Sequence, residues 1–150
     1  MSGAELPFLT LTLAGQLCGI SVLAVRDILA AKPSARVPLA PPEVAGSLNL
    51  RGRIVTAIDL RRRLGLPPAD ADAAPMSVVV EQGGELYALL VDAVEEVIPL
   101  RPDAMEPNPP TLKPAWAACA QGVFRLEGRL MVVLSAERLL EIAPPPARAA

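Results

Sequence analysis

The residue types that most often do chemistry are thin in this chain. It contains no histidine, which removes the commonest general base, the imidazole partner of Ser-His and Cys-His nucleophiles, and the commonest metal ligand. Cys18 and Cys119 lie far apart and form no CxxC pattern, so they read as small apolar side chains rather than a disulfide or redox pair. Gly15 and Gly83-Gly84 belong to no GxxxxGK[ST] phosphate loop. The adjacent carboxylates Glu95-Glu96 would point to opposite faces of an extended segment, which makes them solvated surface rather than an acid–base pair. The expectation is no catalytic residue, no cofactor and no metal site: a chain that binds rather than reacts.

The side chains left to do that binding are arginines and aliphatics, concentrated in residues 46–67, GSLNLRGRIVTAIDLRRRLGLP. The stretch predicts a hairpin, with Ser47 to Leu50 and Ile54 to Ile58 as strands and Arg51-Gly52-Arg53 as the turn. Asp59 is placed to cap the N–H groups of a helical turn that Gly65 and Pro67 end. The Arg61-Arg62-Arg63 triplet reads as a solvated helix face.

The same plan recurs. Laying Gly46 on Gly122, an offset of 122 − 46 = 76, brings Leu50 onto Leu126, Gly52 onto Gly128, Arg53 onto Arg129 and Asp59 onto Ser135, another good cap. Laying Gly15 on Gly84, an offset of 84 − 15 = 69, brings Leu17 onto Leu86, Val22 onto Val91 and Val25 onto Val94. Each half reads as hairpin, ridge, proline-rich connection, hairpin and helical turn. The first hairpin covers residues 6–13, alternating from Phe8 onward, and Leu17 to Val22, and its counterpart Met76 to Glu81 and Leu86 to Val91. Ala24 to Ala31 fits a helix or an irregular strand, and Val37-Pro38-Leu39 is extended at most. Pro99 to Pro114 is a long loop or strap, and Ala115 to Ala120 a short helix.

Three blocks, ISVLAVRDIL (20–29), VPLAPPEVAGSLNLRG (37–52, continuing into IDLRRRLGL) and LLVDAVEEVIPL (89–100), resemble in order and spacing the CheW family of chemotaxis coupling proteins. With the repeat, the resemblance implies an all-β fold of two small five-stranded SH3-like β-barrels related by a pseudo-twofold, with short helices. One CheW-like domain would span 1–150, with lobes at 15–70 and 76–135, residues 6–14 and 136–143 packing across them, and a disordered tail at 144–150. Valines would be buried inside each barrel and again where the barrels meet.

The resemblance implies three partners: the hairpin tip of a methyl-accepting receptor in the groove between barrels, a CheA-type histidine kinase regulatory domain at the barrel ends, and further copies in rings. Carried over by motif, the receptor-contact positions are Val25, Gly46, Arg51, Ala88, Val94 and Val97, and Asp27 and Arg51 form a structural ion pair. Asp27 stands where the family commonly has Glu, and Ala88 where it commonly has Gly. Two readings of Arg51 stand: a receptor contact using its fork of donors, or a turn arginine paired with Asp27 or Asp59. For Val94 and Val97 the rival reading is core packing.

Composition bounds the alternatives. With 52% apolar and 20% charged residues the chain is globular, and a net charge of −2 argues against nucleic acid. A base-stacking barrel would need more aromatics than one Trp, one Tyr and two Phe. No apolar run has a spanning helix's length of about 20 residues, and Glu5 and Pro7 occupy the place of a basic signal region. A cytoplasmic protein without direct membrane contact is expected. A scaffold of a non-motility pathway would read the same way.

Overall fold

The computed structural model describes residues 4–30, 40–70 and 73–141. The readings of Val37-Pro38-Leu39 and of the tail lie outside those residues. Among the described residues ten strands run in chain order: β1 (Leu6–Leu13), β2 (Gln16–Ser21), β3 (Val25–Leu29), β4 (Val44–Leu50), β5 (Arg53–Asp59), β6 (Met76–Gln82), β7 (Glu85–Val91), β8 (Ala93–Leu100), β9 (Ala120–Leu126) and β10 (Arg129–Leu134). Three short helices are α1 (Leu60–Arg63), α2 (Pro114–Cys119) and α3 (Ala136–Leu139). The all-β class holds, with five strands in each of two sheets.

Local chemistry explains the hairpins. Ala14-Gly15, Arg51-Gly52, Gly83-Gly84 and Glu127-Gly128 each have positive φ at both positions, the turn whose twist matches that of paired strands. The two helical turns after β5 and β10 are capped as the sequence predicts. The Asp59 carboxylate accepts from the Arg61 and Arg62 N–H groups, and the Ser135 hydroxyl from the Arg138 N–H. The segment from Ala24, read as helix or irregular strand, is a strand in its described residues, β3, entered through a 3-10 turn at Val22–Ala24.

The lobes do not divide as expected. One sheet has the order β8-β1-β2-β10-β9 and the other β3-β6-β7-β5-β4. Residues 15–70 are thus split between the sheets, and so are residues 76–135. The β1–β2 and β6–β7 hairpins have in effect changed places, each completing a sheet with three strands from the other half. The repeat survives the exchange, because the parallel pairs Thr56↔Tyr87 and Ala57↔Ala88 map onto Val132↔Cys18 and Val133↔Gly19 under the same two offsets.

Strand alternation feeds three cores. In β6, Val79 packs inside the β3–β7 sheet with Leu48, Val55, Ala57 and Ala88, whereas Val78 and Val80 face a core shared by both sheets. In β10, Met131 and Val133 turn toward Phe8, Leu17 and Phe124, and Val132 and Leu134 join the shared core. Phe8 and Phe124 meet edge to face at 5.6 Å between centroids, a preferred aromatic geometry.

The proline-rich strap lies against β9, where Glu106 and Val123 exchange backbone hydrogen bonds of 2.8 and 2.9 Å. A Cβ on Gly122 would stand 2.5 Å from the Glu106 carbonyl oxygen, so the strap requires glycine there. At Gly19 the same atom would meet only the flexible Met131 thioether, at 2.6 to 2.8 Å. Gly122→Ala should therefore cost about 1–3 kcal/mol, and Gly19→Ala clearly less, as shifts in the urea unfolding midpoint. Equal costs would disprove the strap's close approach.

Candidate functional site

Chain crossings between the sheets create a surface concavity. The chain leaves β2 for β3 through the Val22–Ala24 turn and leaves β7 for β8 through one residue, Asp92. Strands β3 and β8 are each the outer strand of their sheet, and together with β1 they line a groove of about 290 Å³ formed by Leu9, Val22, Val25, Arg26, Asp27, Ile28 and Val97. Its floor is aliphatic. Val97 remains 53% exposed and Ile28 38%, unusual for such side chains at one spot.

Charge sits at the groove's edge in pairs. Arg26 donates to Glu81 at 3.1 Å, and an Arg51 guanidinium nitrogen lies 3.5 Å from an Asp27 carboxylate oxygen. This second pair joins β3 to the β4–β5 turn at the far edge of the same sheet, so the sheet is strongly curled. The Arg51 side chain is 82% exposed, and an ion pair that open contributes about 0–1 kcal/mol. Arg51 itself holds a left-handed φ of 52°.

The six carried-over positions fall into two groups. Val25, Val97 and the Asp27–Arg51 pair converge on the groove and its edge. Val94 is half-buried against the shared core, opposite Leu11. Ala88 and Gly46 require correction as contact residues. Ala88 is fully buried inside its sheet. Gly46 is buried at a β4 irregularity with φ 149°, a backbone requirement rather than a surface. Sequence reasoning missed Leu9, Val22 and Ile28. Ile28 carried a usable signal, an aliphatic at a strand position that alternation turns outward.

The arginine triplet also departs from a solvated face. Arg61 grips Asp92 with two hydrogen bonds, Nε at 2.9 Å and a terminal nitrogen at 2.7 Å, and donates a third to the Pro67 carbonyl. Arg63 donates to the carbonyls of Leu139 and Arg138, closing the end of α3. Only Arg62 points freely outward. Asp92 also accepts from the Ala14 N–H at 2.7 Å. The Arg61 hydrogen bond, opposed by partial burial, holds the Asp92 carboxyl below the usual aspartate range. Burial, aided by Asp92, pushes the Cys18 thiol up to about 12, which leaves it without thiolate character at neutral pH.

The CheW-like domain model matches residues 7–143. The chain belongs to the CheW-like domain family. It is 30% identical over 115 residues to the chemotaxis protein CheW of Rhizobium meliloti, covering 77% of this chain and 74% of the relative. It is 29% identical over 133 residues to the Klebsiella aerogenes chemotaxis protein CheW, covering 89% and 80%. Among solved structures it is similar to the scaffolding protein TtCheW of Thermoanaerobacter tengcongensis, with a TM-score of 0.82, 28% identity and coverage of 92% and 89%. Among the described residues no helix is long and apolar enough to cross a membrane.

The depressed Asp92 value fixes a sign for pH dependence in this CheW-like domain. An unfolded aspartate titrates near about 3.9. The stabilisation from Asp92 is therefore complete above about pH 5 and is lost as pH falls through the lower native value. Asp92→Asn should lower the melting temperature at neutral pH and flatten its decline on acidification. A variant whose acid profile parallels the parent would contradict the assignment.

Proposed function

We propose that this CheW-like domain is a non-catalytic chemotaxis adaptor that joins a methyl-accepting receptor to a CheA-type histidine kinase on the cytoplasmic side of the membrane. The observation that carries the reading is the groove between the sheets. It offers an aliphatic floor with Val97 and Ile28 at the surface, flanked by two ion pairs. Such a strip suits the apolar face of a helical hairpin. Nothing reactive is needed for that task, in keeping with a histidine-free sequence and a buried, unionised Cys18. The relatives named as chemotaxis proteins and the structure named as a scaffold support the same role.

The kinase regulatory domain, and further copies of the chain, are assigned to the outer ends of the sheets. Ile54, 76% exposed beside the Arg51-Gly52 turn, provides an apolar anchor at one such end. The adaptor needs only surface complementarity, and an acidic chain with few aromatics gives a nucleic acid no comparable surface.

Co-sedimentation with a receptor cytoplasmic fragment and with a kinase regulatory domain tests the reading. Val97→Asp should weaken receptor binding at least about tenfold, equivalent to about 1.4 kcal/mol, and leave kinase binding intact. Arg51→Ala should abolish receptor co-sedimentation with an almost unchanged melting temperature, since the left-handed φ strains both residues alike and the ion pair is exposed. Undiminished receptor binding by both variants would refute the groove assignment, and a collapse in the stability of Arg51→Ala would make that residue structural.

A further inference from the structure

Asp92 is the only residue between β7, in one sheet, and β8, in the other. The N–H and the carboxylate of this linker are both hydrogen-bonded. Its N–H donates to the Thr12 carbonyl of β1 at 3.1 Å. One carboxylate oxygen takes the Ala14 N–H in the β1–β2 turn, and both oxygens take the Arg61 fork. Arg61 stands on α1, directly after β5 of the opposite sheet. A single carboxylate thus holds a backbone donor from one sheet and a guanidinium from the other. The pair is mostly shielded, with 19% of the Arg61 and 28% of the Asp92 side chain exposed.

The same strand carries this junction and the groove. From Asp92 the β1–β8 ladder runs through Thr12↔Ala93 and Leu11↔Val94 to Leu9↔Val97, and Leu9 and Val97 line the groove. The other wall, Val25 to Ile28, belongs to β3 of the other sheet. The groove's width therefore depends on the angle between the sheets. Hydrophobic burial in the shared core is non-directional and holds the sheets together without fixing that angle. A two-pronged guanidinium–carboxylate bond is directional.

We propose that the Arg61–Asp92 pair is a latch that sets the angle between the sheets and thereby holds the groove open at one width. Arg61 and Asp92 do not line the groove; they are positioning residues. The effect on receptor binding rests on the function proposed above, whereas the effect on groove width does not.

The test uses the full chain carrying spin labels on Arg26→Cys and Glu95→Cys, one on β3 and one on β8. Cys18 and Cys119 are fully buried and stay unlabelled. In Arg61→Lys, which keeps the charge and loses the fork, the label-to-label distance distribution should broaden about twofold, and in Asp92→Asn at least as much. Asp92→Glu should restore part of the parent width. Affinity for the receptor fragment should fall about tenfold, as expected when a binding-competent geometry becomes a minor population. An unchanged distance distribution in Arg61→Lys overturns the latch, whatever its melting temperature. Should Asp92→Asn fail to fold, Arg61→Lys decides alone. A broadened distribution with full receptor affinity upholds the latch and removes the groove as the receptor site.

Discussion

The central strands have two faces and no solvent side, and the rest of the molecule follows from that constraint. Val79 and Val78 are neighbours in β6, yet one lies inside a sheet and the other between the sheets. Each fully buried aliphatic contributes about 1.5–3 kcal/mol, so strands that feed two cores bind the sheets into one unit. Separating the sheets would expose Leu9, Leu11 and Leu13 of β1 together with Val78, Val80 and Leu89 of the other sheet. Adhesion is thus assured by burial, and polar groups are left to fix geometry.

The hairpin exchange adds a second consequence. Because β1–β2 and β6–β7 each complete the sheet of the other half, the chain must cross between sheets twice, and the crossings deliver β3 and β8 to the two walls of one groove. A simple pair of consecutive lobes would cross only once, between β5 and β6. The groove is a product of the topology, and its apolar floor is the margin of the shared core, to which Val22 and Val25 still belong.

Features set within a few residues were legible in the sequence, and features set across long separations were not. The Arg51-Gly52 turn and the Asp59 cap depend on neighbours, and both were readable. The repeat was readable too, since one constant offset brings β4, β5 and α1 onto β9, β10 and α3 and a second brings β2 and β3 onto β7 and β8. What no offset reveals is which sheet a hairpin joins, because the alternation in β1 and β2 suits either half. Arg61 and Arg63 were misread for the same reason: their partners lie 31 and 76 residues away. Val25 and Val97 were singled out through resemblance, and Ile28 was passed over although it lines the same groove.

Resemblance alone also cannot separate residues kept for the fold from residues kept for contact, and the NLRG motif shows why. Asn49 accepts the Gly52 N–H through its side chain, Leu50 packs against the core of its sheet, and Gly52 supplies a φ of 83°. Asn49 and Gly52 build the turn together with the Arg51 backbone, and Leu50 anchors it. Arg51 alone projects, spending little stability on its partner Asp27. Burial divides the carried-over positions in the same way, assigning Gly46 and Ala88 to the scaffold and Val97 and Arg51 to the surface. A fold that keeps its stability in three enclosed cores can vary its exposed rim at small cost, which is the physical condition for an adaptor to change partners without changing shape.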